Sequence, residues 1–122
     1  MDDQQRQDSG AALTQAAKTY IDQHYAEKFT LQGLADALFV NASYLSRVFK
    51  SRTGKTLLWY HNHARCEAAK ELLTQPDVSI SRAGELAGFV SSSHFSHIFK
   101  KMTGTTPTEY RLSCMKERGP AD

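Results

Sequence analysis

Apolar residues along this chain recur at three- and four-residue intervals and never in the alternation of a strand, so the pattern predicts an all-α protein. Leu13, Ala17, Tyr20 or Ile21, and His24 mark one face of a first amphipathic helix from Ala11 to about Tyr25. Thr30 can cap a short second helix, Leu31 to Ala37, with Leu31, Leu34, Ala35 and Leu38 inward. Asn41 can cap a third, Ala42 to Thr53, with Leu45, Val48 and Phe49 inward and Gly54 at its C-terminal end. Thr56 starts a helix from Leu57 to about Leu73, roughly 25 Å long at about 1.5 Å per residue, and Pro76 prevents its extension. Ser79 then caps Ile80 to Ala87, and Ser91 caps Ser92 to Thr103, which Gly104 closes. Thr106, Pro107 and Glu109 open the last helix with a cap, a proline at the first helical position and a glutamate placed to complete a capping box. The polar stretch 1–10 reads as a disordered tail, and 114–122 as a C-terminal one.

Within this helical pattern one passage is spelled twice. LSRVFKSRTG, from Leu45, returns as FSHIFKKMTG, from Phe95. Ser43, Ser46, Phe49, Lys50, Thr53, Gly54, Thr56 and Tyr60 recur fifty residues later as Ser93, Ser96, Phe99, Lys100, Thr103, Gly104, Thr106 and Tyr110. Upstream, the apolar match is offset by 49 (Leu31/Ile80, Leu34/Ala83, Ala35/Gly84, Leu38/Ala87), so the second copy carries one extra residue in its turn. Gly88 stands at that bend, where positive φ is needed. Each copy is a short helix, a tight turn and a longer helix. The domain 11–113 therefore divides into two helix-turn-helix units, 31–52 and 79–102, joined by the helix 57–73 as a rigid rod.

Composition adds limits. The 122 residues are 40% hydrophobic and 23% charged, which is the balance of a soluble globular protein. No apolar run approaches the roughly 20 residues of a membrane span, and no secretory leader is visible. Cys66 and Cys114 stand in no metal or redox spacing and read as free thiols in a reducing cytoplasm. A net charge of +2 is too small to announce a partner, but its distribution is informative. Asp and Glu are absent from Ala37 to Cys66 and from Leu86 to Thr108, and both stretches coincide with the repeated passage. Two solvated basic faces would explain either run alone. Their coincidence with both copies points to a polyanion.

Removing the core positions leaves Ala42, Ser43, Ser46, Arg47, Lys50 and Ser51 on the outer face of the first long repeat helix. The second leaves Ser92, Ser93, Ser96, His97, Lys100 and Lys101. Small and hydroxyl residues come first, then cations. A helix entering the major groove by its N-terminus needs that order, with hydroxyls, Arg and His at base edges and lysines at phosphates. Asn41, Lys50, Ser91, Ser96 and Lys100 are the candidate phosphate contacts. Phe49, Phe99, Trp59, Tyr60 and Tyr110 stand at helical spacing and read as core, not as a stacking platform. His94 and His97 are three apart but have no third ligand nearby, and His61 and His63 read as structural, so no metal site and no cofactor is expected. No phosphate loop, nucleophile elbow or His-Glu zinc motif appears, so the chain does not read as an enzyme.

The stretch SISRAGELAGFVSSSHFSHIFKKMTGTTPTEYR, from Ser79 to Arg111, resembles the signature of AraC/XylS-type transcriptional regulators. The match rests on Gly88-Phe89, Ser93-His94-Phe95-Ser96, Phe99-Lys100-Lys101, Gly104, Thr106-Pro107 and Tyr110-Arg111. Leu34-Ala35, Tyr44-Leu45-Ser46-Arg47, Phe49-Lys50 and Thr53-Gly54 resemble the family's weaker first motif. The resemblance implies a seven-helix, homeodomain-like domain from bacterial-type regulators, binding double-stranded DNA with both recognition helices in successive major-groove segments. By position it assigns base reading to Ser43, Ser46 and Arg47, and to Ser92, Ser93 and His97. It further implies RNA polymerase as a partner and a separate effector-sensing or dimerising domain. Nothing in this chain could be that domain, so it reads as the C-terminal part of a larger regulator, with a complete small regulator as the alternative. A helical adaptor for an acidic protein is the alternative function.

Three departures from the family carry expectations. Phe39 replaces the usual turn glycine, so the first turn should leave the usual geometry. Gly84 replaces an alanine, which costs about 1 kcal/mol in helix propensity. His97 replaces an arginine, which weakens the case for guanine reading by the second helix.

Tandem units joined by one helix should read an asymmetric, direct site with halves about one turn, ~34 Å, apart on one side of the DNA. Inserting about five base pairs between the halves turns one half to the far side, and a gel shift should then register loss of tight binding. Retained affinity would refute the rigid rod.

Overall fold

Helix boundaries in the computed structural model, which describes residues 3–118, fall where the capping residues stand. Among those residues there are seven helices and no strand: α1 (Asp3–Gln23), α2 (Leu31–Ala37), α3 (Ala42–Thr53), α4 (Leu57–Leu73), α5 (Ile80–Leu86), α6 (Ser92–Thr103) and α7 (Pro107–Arg118). The side chains of Thr30, Asn41, Ser79 and Ser91 accept hydrogen bonds from the N–H groups of Gly33, Tyr44, Arg82 and His94 at 3.0–3.1 Å. Each such cap stabilises its helix by about 1 kcal/mol. Ahead of α7 the box closes in both directions. Glu109 N–H donates to Thr106 Oγ1 at 3.1 Å, and Thr106 N–H donates to Glu109 Oε1 at 3.4 Å.

Both expected tails are shorter than the sequence pattern suggests. α1 begins at Asp3, not Ala11, because no proline interrupts 3–9 and Gln and Arg are good helix formers. Gly10 is buried, and a Cβ there would lie 2.4 Å from Arg52 Nε, so any larger residue would push that guanidinium aside. α7 continues past 113 to Arg118. Met1, Asp2 and 119–122 lie outside the described residues.

The chain forms two compact units, Met1–His61 and Asn62–Asp122. In the first, α1 and α2 pack on α3, burying Ala17, Ile21, Leu34, Ala35, Leu45, Phe49 and Leu57. Tyr60 meets Phe49 edge-on, with centroids 5.9 Å apart. Burial, and then the bonded carboxylate of Asp22, push the Tyr60 phenol above its usual pKa. In the second unit Cys66, Ala69, Leu73, Ala83, Ala87, Phe89, Phe95 and Phe99 form the core. Tyr110 meets Phe99 edge-on at 5.7 Å, repeating the Phe49–Tyr60 contact. Burial pushes the Cys66 thiol up to about 11, so it stays protonated and inert at neutral pH. Arg111 Nε donates to Leu73 O at 2.9 Å, and its Nη2 donates to Gln75 O at 3.2 Å and to Val78 O, satisfying carbonyls left open between α4 and α5.

The repeated Thr-Gly step also has a physical account. Thr53 Oγ1 donates to Phe49 O (2.8 Å) and accepts from Lys55 N–H (3.1 Å); Thr103 does the same with Phe99 O (2.7 Å) and Thr105 N–H (3.3 Å). Gly54 (φ 76) and Gly104 (φ 89) then end α3 and α6 in the left-handed region, each donating its N–H at 2.8 Å to Lys50 O or Lys100 O.

Two expectations need correction. Phe39 does not change the first turn: it adopts φ +59, and Val40 N–H donates to Ala35 O at 3.0 Å. Gly88 at φ +99, followed by Phe89 N–H donating to Gly84 O at 3.0 Å, is the same arrangement. The backbone bonds that end the helix impose the left-handed residue, whatever its side chain. Nor is Gly84 simply a loss of helix propensity. A Cβ there would lie 2.3 Å from Phe95 Cδ2, so the glycine admits the ring directly onto α5. The first unit fills the same space with Ala35 and Leu45.

Gly84→Ala should therefore destabilise the protein by about 1–3 kcal/mol through overpacking, despite the ~1 kcal/mol that alanine gains in helix propensity. Gly84→Ala with Phe95→Leu recreates the first unit's pair and should recover much of that loss. Urea unfolding of both single mutants and the double mutant tests this, and simple additivity would contradict the proposed fit.

Candidate nucleic-acid interface

Burial of Leu45 and Phe49 turns Ser43, Ser46, Arg47 and Lys50 outward from α3, and all four are exposed. Burial of Phe95 and Phe99 does the same in α6 for Ser92, Ser93, Ser96, His97 and Lys100. Each set is brought onto one helix face. The caps Asn41 and Ser91 are exposed too, one residue ahead of each helix. Their acceptor oxygens are engaged by Tyr44 N–H and His94 N–H, which leaves the Asn41 amide NH₂ and the Ser91 hydroxyl hydrogen as donors for an outside oxygen. Ser92 is also held from within its own unit, with its Oγ 3.4 Å from Ser81 Oγ.

The electrostatics of the two faces agree. Neither α3 nor α6 has an acid in its first turn, and their last turns carry Lys50 with Arg52 and Lys100 with Lys101. None of the ion pairs His24–Glu27, Glu67–Lys70 and Arg82–Glu85 involves a residue of α3 or α6. In the second unit Ser96, His97, Lys100, Lys101 and Thr106 line one open depression. Thr106 thus joins residues that the sequence had already placed on the outward face, Lys101 among them. In the sequence Thr106 read only as a helix cap.

Tyr44 is the residue whose part the sequence left unassigned. The Arg47 guanidinium lies 5.8 Å from the centroid of its exposed ring, a cation–π distance. The signal was the aromatic–arginine pair at i, i+3. In α6 the corresponding residue is His94. It is half-buried, meets Phe89 edge-on at 5.7 Å and leaves its Nδ1 without a hydrogen-bond partner. His97 therefore has no aromatic platform of the kind that Arg47 has.

Other residues take structural places. His61 is buried with its ring 5.1 Å from Phe29. Trp59, expected in the core, is only half-buried, and Lys55 Nζ lies 4.9 Å over its ring, because its position on α4 faces the edge of the unit. Arg65 is buried in the second unit, 5.8 Å from the Phe89 ring centroid, and desolvation lowers its pKa. Among the described residues no group of three or more His, Cys, Asp or Glu could hold a metal ion, and no helix is long and apolar enough to cross a membrane.

Comparison with known proteins gives this geometry a family. A helix-turn-helix domain family matches residues 34–113. The chain is 36% identical over 100 residues to YijO of Escherichia coli, an uncharacterised HTH-type transcriptional regulator, covering 82% of this chain and 35% of that protein. It is 37% identical over 99 residues to AdaA of Bacillus subtilis, a bifunctional transcriptional activator and DNA repair enzyme, covering 80% of this chain and 47% of that protein. The chain thus spans between a third and a half of the length of these relatives. Among solved structures, a transcriptional regulator with an AraC-type DNA-binding domain from Chromobacterium violaceum superposes with a TM-score of 0.80 at 26% identity, covering 87% of this chain and 95% of that one. With two helix-turn-helix units that share the same arrangement of capped helices, turn and outward face, the chain belongs to the AraC-type family of helix-turn-helix transcriptional regulators, as their DNA-binding domain.

Proposed function

We propose that α3 and α6 read double-stranded DNA in the major groove, with Ser43, Ser46 and Arg47 at base edges in the first unit and Ser92, Ser93 and His97 in the second. The observation that carries this reading is the double outward face, free of acids and ordered from hydroxyls to cations, opposite a buried core pair in each helix. Arg47 is its sharpest member, because a guanidinium reaches guanine O6 and N7 together and the Tyr44 ring restrains it beforehand. Asn41, Lys50, Ser91, Ser96 and Lys100 fix the register by holding phosphates. In the whole protein this domain works in the cytoplasm, joined to an effector-sensing or dimerising domain and acting on RNA polymerase, without catalysis of its own. The length of the relatives supports the larger regulator.

Selection from a random duplex pool, read by gel shift, tests the function: a DNA reader enriches one sequence, whereas an adaptor for an acidic protein enriches none. On the selected site, Arg47→Ala should relax preference at one or two base pairs, a discrimination worth about 1–3 kcal/mol. Lys50→Ala should instead weaken all sequences alike and reduce the salt slope by about one. Equal behaviour of the two mutants would contradict the division between base and phosphate contacts.

A further inference from the structure

The turn between α2 and α3 displays a side chain that its own fold does not use. Phe39 sits at φ +59, where a Cβ meets the following carbonyl oxygen, and its ring is 94% exposed, so no burial offsets that clash. The second unit makes the same turn, with the same pair of backbone hydrogen bonds, around Gly88. A glycine would therefore serve the backbone better. Strain that the fold neither needs nor compensates directs attention outside the chain.

The position limits what could lie there. Phe39 is two residues before Asn41, so their Cα atoms are at most about 7 Å apart and its exposed side chain adjoins the start of α3. Asp36 stands just ahead, but from Ala37 to Cys66 no acid occurs and Arg47, Lys50, Arg52 and Lys55 follow, so the chain from Phe39 into α3 favours a polyanion. The second unit offers an independent parallel. Val90, immediately before the cap Ser91, is 85% exposed. Each recognition helix is thus preceded by one outward apolar side chain, although different residues of the two turns provide it.

We infer that Phe39, and Val90 in its own unit, pack against apolar atoms of the DNA beside the base edges, either the thymine 5-methyl group or deoxyribose carbons. This rests on the reading of α3 and α6 as recognition helices and adds to it a contact that is neither a hydrogen bond nor a charge. The thymine methyl is the apolar mark of the major groove, and small or aromatic side chains recognise it by contact alone. Continuity with the α3 face favours DNA over a protein surface.

The experiment compares wild type, Phe39→Gly, Phe39→Leu and Val90→Ala on the selected duplex by fluorescence anisotropy, with Tm measured for each. Phe39→Gly should act in opposite directions on the two readouts, raising Tm by about 4 °C as strain is released and weakening the selected site about fivefold. Its salt slope should stay that of wild type, because no phosphate contact is lost. Phe39→Leu should retain most of the affinity, and Val90→Ala should lose about twofold to threefold. Duplexes with deoxyuridine in place of single thymines separate the two sources. If the contact is to a methyl, one substitution reproduces the Phe39→Gly loss in wild type and adds nothing in the mutant; if it is to deoxyribose, none does. Wild-type affinity in both Phe39→Gly and Val90→Ala would overturn the inference and leave these side chains to a protein partner, and a lowered Tm for Phe39→Gly would overturn the strain argument. Failure of wild type to select any sequence would instead refute the DNA reading itself.

Discussion

Each long helix of the repeat is oriented by two buried side chains one helical turn apart: Leu45 and Phe49 in α3, Phe95 and Phe99 in α6. A helix that buries positions i and i+4 has no rotational freedom left, because turning it would return an aromatic ring to water at about 1.5–3 kcal/mol per side chain. The positions on the opposite face are thereby committed to solvent. The rest of each unit serves this constraint. Ala35 or Gly84 forms the floor, Tyr60 or Tyr110 closes over the second ring, and the Thr-Gly step stops the helix where its lysine projects. The outward chemistry therefore follows from an inward requirement.

Much of this was legible because the signals are local. A Thr, Asn or Ser ahead of an apolar period announces a helix start through its own side-chain oxygen, and the positions of Thr30, Asn41, Ser79 and Ser91 set four starts correctly. The outward faces were legible for a related reason: once the 3.6 period identifies Phe49 and Phe99, the remaining positions follow by subtraction. What stayed hidden depends on partners distant in sequence or on backbone geometry. Gly84 reads as a helix defect until Phe95 is seen pressed against it, and Gly10 as the end of a tail until Arg52 lies across it. Phe39 reads as a broken turn, because propensity assigns the left-handed region to glycine while the helix-ending bonds impose it on whatever residue stands there.

The two copies share a scaffold and diverge at chosen points. Core volume is conserved as a sum, with a smaller floor residue under a larger ring in the second unit. On the outward faces the divergence has no such compensation. Arg47 rests on Tyr44, whereas His97 follows a histidine that has turned inward to Phe89. The first unit thus holds a restrained guanidinium fork, and the second holds a ring whose orientation its neighbour does not set.

Arg111 gives the second unit a dependence in time. Its guanidinium ties together the carbonyls of Leu73, Gln75 and Val78, which the chain reaches more than thirty residues earlier during synthesis. Until α7 has left the ribosome, the connection into α5 lacks these partners, and the Phe99 ring lacks Tyr110. The first unit has no such debt beyond His61, since all its core residues precede that point. A nascent chain therefore carries the whole core of its first unit while the second is still waiting for its last helix, and domains that mature in this order expose only one incomplete core at a time.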